Sequence, residues 1–85
     1  GATFETVLDR DKKHLKIAHG VKISSLGPGK LRSAGIKEGF IIMSIDKKKI
    51  NFPDDVKSAL ENKEGGVLIE GIYPNGMRAY YAFGI

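Results

Sequence analysis

The chain has 85 residues and a mass of 9.3 kDa; it is 41% hydrophobic and 28% charged, with no Cys and no Trp. That length holds one small domain, residues 1–85, able to bury only ~60–65% of the surface its unfolded form exposes. A chain without cysteine has no disulfide framework, no thiolate metal site and no thiol nucleophile. No apolar run approaches the ~20 residues of a membrane span and no signal peptide opens the chain, so no direct membrane insertion is expected. The first residue is not Met, from which an excised piece of a longer protein is expected.

The net charge of +4 is unevenly spread: eleven of the fourteen Lys and Arg lie in the first fifty residues against five acids, leaving three bases and five acids for the rest. A basic half is one signature of nucleic-acid binding. Here the bases fall at turns (Lys12-Lys13, Lys47-Lys48-Lys49) with few aromatics among them to act as stacking platforms. A solvated face is therefore expected, and no nucleic-acid partner.

In chain order, Thr3-Phe4-Glu5-Thr6-Val7 alternates apolar and polar residues and predicts a strand. Asp9 to Lys13 reads as a charged turn, with His14 to Ile17 a short extension. Gly20 opens a second alternating strand, Val21 to Leu26, which Gly27-Pro28-Gly29 breaks. Pro28 has the fixed φ of a helix start, and Lys30 to Ala34 predicts one or two helical turns. Gly35 stands where a left-handed helix stop belongs, with Ile36 placed to pack back. Gly39 to Ile45 is a nearly continuous apolar run, expected as a central strand buried on both faces. After a tight turn at Asp46-Lys47-Lys48 comes a short strand at Lys49-Ile50.

Asn51 is expected to cap the next helix, with Asp54 and Asp55 favourable at its positive end. Val56, Ala59 and Leu60 form its apolar stripe, Phe52 and Pro53 extend that stripe backwards, and Gly65-Gly66 ends the helix. Val67 to Tyr73 and Met77 to Phe83 predict a hairpin around Pro74-Asn75-Gly76. The pattern is α+β: a small, mostly antiparallel sheet or partly open barrel of five to six strands with two helices.

Catalysis needs a nucleophile, a base and an orienting group converging on a pocket. His14 and His19 are the only imidazoles, and no serine sits in a nucleophile-elbow pattern. Asp9, Asp11, Asp54 and Asp55 read as turn and cap residues. His14, His19 and Asp11 lack metal-ligand spacing, and Gly27-Pro28-Gly29 lacks the lysine-hydroxyl pair of a phosphate loop. No catalytic residue, metal or cofactor is expected. What remains is binding: a sheet edge beside an amphipathic helix makes a groove where an extended peptide can add a strand.

The stretch Pro28-Gly29-Lys30-Leu31-Arg32-Ser33-Ala34-Gly35-Ile36-Lys37-Glu38-Gly39-Phe40-Ile41-Ile42 resembles the Pro-Gly-x-x-Ala-x-x-Ala-Gly-Leu-x-x-Gly-Asp-x-Ile signature of PDZ domains. Ile45-Asp46-Lys47-Lys48-Lys49-Ile50 is similar to the family's Ile-Asn-Gly-x-x-Val, and Asp55 to Leu60 to its second helix. The likeness covers essentially the whole chain, in the circularly permuted order of bacterial proteases. It is nearest to the C-terminal PDZ domain of HtrA-type (Do-like) envelope serine proteases, and the segment from Gly66 to Gly76 looks like Bacteroides-type versions. Two departures, Phe40 for Asp and Asp46-Lys47 for Asn-Gly, are expected at turns away from the groove.

The resemblance implies a peptide-carboxylate loop at Gly1, Ala2, Thr3 and Phe4, and a peptide-pairing strand at Thr3, Phe4, Glu5, Thr6 and Val7. It implies a facing helix wall at Pro53, Val56, Lys57 and Leu60, with Phe4 and Leu60 lining the pocket for the ligand's last side chain. It further implies a non-catalytic module of a serine endopeptidase, in the periplasm or envelope of a Gram-negative bacterium. Its partners would be peptide or protein C-termini of misfolded or envelope proteins, and the protease and other PDZ domains of the same parent. The alternatives are an assembly domain with a closed groove holding subunits together, and the PDZ domain of a C-terminal-processing or intramembrane protease.

Overall fold

The computed structural model describes residues 2–61 and 63–84. Six strands and three helices follow in the order β1 (Ala2–Thr6), α1 (Asp9–Leu15), β2 (Val21–Leu26), α2 (Lys30–Ser33), β3 (Ile41–Ile45), β4 (Lys48–Lys49), α3 (Pro53–Leu60), β5 (Gly66–Ile72) and β6 (Arg78–Gly84). The strands form one antiparallel sheet in the order β1-β2-β3-β5-β6, with β4 paired to β3 beside that path. The fold is thus the expected α+β arrangement, with three helices where two were predicted.

The additional helix is α1, where the sequence reads as a charged turn. With a single apolar residue, Leu15, it shows no amphipathic period. Charge order and docking hold it instead. Asp9 and Asp11 lie in its first turn and Lys12, Lys13 and His14 in its last, matching the helix dipole. The Leu8 carbonyl accepts the Asp11 and Lys12 N–H groups. Lys16 then turns left-handed at φ 58°, and the Ile17 N–H returns to the Lys12 carbonyl at 2.9 Å, a helix stop normally given to glycine.

At α2 the expected stop is present. Gly35 has φ 98°, its N–H donates to the Arg32 carbonyl, and the Ile36 N–H donates to that of Leu31. Ile36 packs back into the core.

Helix α3 starts from Phe52 rather than Asn51, and no Asn51 side-chain cap forms. The bond runs the other way: the Asp55 carboxylate reaches back to accept the Asn51 and Phe52 N–H groups at 2.9 and 2.8 Å. Two donors left free at the helix start are satisfied by one acid, whose pKa is lowered by those backbone hydrogen bonds. The helix ends at Leu60, before Gly65-Gly66, with Glu61 already extended.

The turn Asp46-Lys47 has positive φ at both residues, 51° and 69°, the two-residue hairpin geometry for which Asn-Gly is the usual choice. Side chains hold it. Asp46 accepts the Leu68 N–H at 2.9 Å and pairs with Lys63 at 2.7 Å, while Lys47 pairs with Glu70 at 2.6 Å. Lys63, hydrogen-bonded to Asp46, and the Leu68 N–H lower the Asp46 pKa, and Glu70 raises that of Lys47. β4 accordingly begins at Lys48, and Ile50 is buried.

Two clusters pack the sheet. The larger gathers Val21, Ile23, Ile36, Phe40, Ile42, Ile45, Ile50, Val56, Val67 and Ile69. The smaller joins Val7, Ile17, Ile41 and Ile72, with Leu15 and Met43 against them. Phe40, part of the apolar run expected to be buried and also the position where the signature has Asp at a turn, lies just before β3 and is the largest fully buried side chain. Its ring lies 4.8 Å from that of Tyr73 and 5.3 Å, edge-on, from that of Tyr81. Gly71 makes the room: a Cβ there would fall 2.5 Å from the Phe40 ring and 2.1 Å from the Ile41 carbonyl oxygen.

Candidate functional site

β1 hydrogen-bonds to β2 along one side only, so among the described residues its other side is a free sheet edge. A free edge presents alternate N–H and C=O groups to any strand laid beside it. β1 carries one charge and no proline, the usual means of blunting such an edge. Its one irregularity is a bulge: Thr3 pairs with Ser25 and Phe4 with Ile23, leaving Ser24 over. The Ser24 hydroxyl donates to the Thr3 carbonyl at 3.1 Å, and the Ser25 hydroxyl to that of Thr3 at 3.2 Å. Both serines thus tie the bulge down on the paired side.

Beside the free edge runs α3, and a groove of about 670 Å³ separates the two. Ala2 and Phe4 line it from the strand, and Pro53, Val56, Lys57 and Leu60 from the helix. Alternation along β1 turns Phe4 towards the helix, and spacings of three and four residues bring Pro53, Val56, Lys57 and Leu60 to one helix face. Phe4 and Leu60, half-buried, rest on the larger cluster, so the groove floor is the upper layer of the core.

The sequence-expected residues divide in four. Ala2, Phe4, Pro53, Val56, Lys57 and Leu60 are brought together around the groove. Thr3, Glu5 and Thr6 are exposed on β1 and bring their backbone to its edge. Val7 lies beyond the end of β1 and is buried in the smaller cluster, so its side chain serves the docking of α1 rather than the groove. Gly1 falls outside the described residues, and Ala2, Thr3 and Phe4, expected as a carboxylate loop, lie within strand β1, which already begins at Ala2.

Two groove residues were not expected, Asp54 and Glu61. Sequence reasoning assigned Asp54 to the helix start, and Glu61 lies just past the apolar stripe. Asp54 stands in the first turn of α3 and Glu61 at the residue where the helix ends, and neither carries a signal in the sequence that marks it for the groove.

A second hollow of about 590 Å³ adjoins the end of α2, lined by Leu26, Arg32, Gly35, Ile36, Lys37 and Glu38. There the Glu38 carboxylate already accepts the Leu26 N–H at 3.0 Å. Among the described residues no group of three His, Asp or Glu side chains could hold a metal ion. His14 is exposed, and His19 makes a 3.1 Å hydrogen bond through Nδ1 with the Ile50 carbonyl. No described helix is long and apolar enough to cross a membrane.

The architecture is that of a PDZ domain. The HtrA3 PDZ domain, solved with a phage-derived ligand (FGRWV), superposes with a TM-score of 0.80 over 99% of this chain and 80% of its own, at 15% sequence identity. No protein-family model matches the chain, and no curated protein does. At that identity the likeness is one of fold.

Proposed function

We propose that this domain is a peptide-binding module that takes protein C-termini or extended segments by strand addition to β1, with α3 as the opposite wall. The observation that carries the reading is the unpaired β1 edge facing an apolar-floored groove of about 670 Å³. Main-chain hydrogen bonds to the edge supply affinity, and side chains that alternate towards α3 supply specificity. In this reading the N–H groups on the free side of β1, at its Ala2 to Phe4 end, meet the ligand's terminal carboxylate. Phe4 and Leu60 receive its last apolar side chain. The backbone of Thr3, Phe4, Glu5 and Thr6 pairs with the ligand, and Pro53, Val56 and Lys57 guide the residues before the last.

The peptide bound by the HtrA3 PDZ domain, FGRWV, ends in an apolar residue, which supports the reading. The parent would be an HtrA-like serine protease of a bacterial envelope, in which the module recruits substrate or reports its presence to the protease. The sequence of the complete protein tests this: a Gly-Asp-Ser-Gly-type nucleophile segment ahead of the domain supports it, and a protease motif of another class replaces it.

The groove itself is tested by titrating the ¹⁵N-labelled domain with peptides that end in Val, Leu or Phe. Amide shifts are expected at residues 2–6 and 53–60. Leu60→Ala should weaken binding about tenfold, the loss of one buried apolar contact, and leave the fold intact. Shifts restricted to α1 and Lys22 would sink the proposal. An isolated domain that binds no peptide but docks onto the rest of its protein would establish the assembly role in its place.

A further inference from the structure

The sheet has a second free edge, at the end away from the groove. β6 pairs with β5 alone, so among the described residues its outer side has no strand against it. Proteins blunt such an edge with a short strand, a proline, a bulge or a well-placed charge. β6 has seven residues to the five of β1, runs along β5 without a bulge, and carries one charge, Arg78, at its first residue. It has no proline. Hydrogen bonds to one antiparallel neighbour use alternate residues, so the others turn their N–H and C=O groups outward. Arg78, Tyr80, Ala82 and Gly84 are exposed, Tyr80 at 66%. Ala79, Tyr81 and Phe83 pack against the larger cluster yet are only half-buried, so the core itself runs out to this edge.

The order of residue sizes along β6 fits one occupant, the same strand run backwards. Laid antiparallel on a second copy over its full length, β6 is centred on Tyr81. Arg78 then faces Gly84, Ala79 faces Phe83, and Tyr80 faces Ala82. On both faces each of these large side chains stands opposite a small one, and the two-fold axis makes every such contact twice. A shift of two residues shortens the ladder and sets Tyr80 against Tyr80 or Tyr81 against Phe83. Charge agrees with the full-length register. The two Arg78 side chains start ~20 Å apart along the ladder, well beyond the ~8 Å over which charges act at physiological salt. Gly84 has open space where a side chain would stand, and its partner in β5 is Gly66, two residues after the exposed acid Glu64. Arg78 thus meets the end of the second copy that carries an acid, and neither residue is in an ion pair among the described residues.

We infer that the domain pairs with a second copy of itself through β6, antiparallel and centred on Tyr81, joining the two sheets into one. The pairing covers the half-buried rim of both cores and leaves β1 of each copy free at the outer ends. It stands independently of the peptide-binding reading. Together with that reading it gives a pair with two open grooves, suited to a substrate that offers two segments at once.

Sedimentation equilibrium tests it between about 10 µM and about 1 mM, where a reversible dimer is expected because one strand pair buries less than a standard interface. Tyr80→Lys alone and Ala82→Glu alone should each raise the dissociation constant about tenfold, since each change acts twice across the axis. Combined, they set a lysine against a glutamate at both contacts and should bring the constant back to within about threefold of the original. Both positions are exposed, so the dilute variants should melt as the parent does, and either one that keeps its melting transition decides the matter. An excess of a Val-ended peptide should leave the constant unchanged, because β1 lies at the other end of the sheet. A monomer across the whole range, assemblies that grow beyond two copies, folded variants that associate as well as the parent, or a double variant that fails to recover would each overturn the inference. Dissociation by the peptide would place the contact at β1 and overturn it too.

Discussion

The two faces of the sheet are packed differently. On one, ten buried side chains from β2, β3, β5, α3 and the connecting segments form a continuous cluster, and Phe4, Leu31, Ala59 and Leu60 lie over it. On the other, four buried residues receive α1 with help from Leu15 and Met43. The candidate groove opens from the first face. Val56 is 1% exposed and yet lines the groove, so one residue serves core and wall. The second face makes no part of the groove. The contrast teaches that stability and binding share atoms on the first face and can be separated on the second.

The largest expected effect is Gly71→Ala. The added methyl would meet the Ile41 carbonyl oxygen at 2.1 Å and the Phe40 ring at 2.5 Å, displacing the centre of the larger cluster. Overpacking of this kind costs about 3 kcal/mol or more, read from urea denaturation, and it should weaken peptide binding as well. Next comes a pair that sets the faces against each other. Ile69→Ala in the larger cluster should cost about 3 kcal/mol, and Ile17→Ala in the smaller about 2 kcal/mol. Among molecules that remain folded, only the first should lose peptide affinity. Equal losses of affinity would erase the distinction between the faces.

Smaller effects are expected at the helix start. Asp55 has its folded pKa lowered from 3.8 by the Phe52 and Asn51 N–H groups. A lowered carboxyl pKa adds stability above the unfolded value, and that stability is lost as pH falls from there through the folded pKa. Asp55→Asn should therefore lower the melting temperature slightly at pH 7, with the gap closing below pH 3.8. Asp46 follows the same sign, with Lys63 and the Leu68 N–H as causes.

The least change in stability is expected from Tyr73→Phe. Burial, then the hydrogen bond and proximity of Tyr73, push the Tyr81 pKa from 10.0 up to about 12. The two hydroxyls are 2.5 Å apart. A raised pKa keeps Tyr81 neutral in the fold, so its contribution is complete below pH 10.0 and fades as pH rises towards 12. Removing the Tyr73 hydroxyl should bring the late step of the tyrosinate absorbance titration down while leaving it above 10.0, because burial remains.

The fold was legible where local chemistry and tertiary role agree. Ala34-Gly35-Ile36 stops a helix and returns to the core, and Pro74-Asn75-Gly76 closes a hairpin. Val56, Ala59 and Leu60 show a helical period because one helix face is buried. The groove-lining positions from Pro53 to Leu60 follow from that period. Helix α1 was hidden because docking through Val7, Leu15 and Ile17 brings together residues on either side of it, with no stripe along the helix itself. The Asn51 cap does not form because the helix starts one residue later, from Phe52, where Asp55 fixes the start by accepting the Asn51 and Phe52 N–H groups, a choice that residue preferences alone do not decide. Asp54 and Glu61 carry no apolar signal, and their place at the groove emerges only once α3 is set against β1.

Phe40 and Gly71 have a consequence for descent. The aromatic ring occupies the hollow left by the missing side chain, and the Ile41 carbonyl oxygen lies closer still to where a Cβ would fall, so position 71 is barred from larger residues whatever stands at position 40. Lineages without an aromatic at position 40 should therefore keep glycine at position 71, and an alignment that shows larger residues there would contradict the backbone contact.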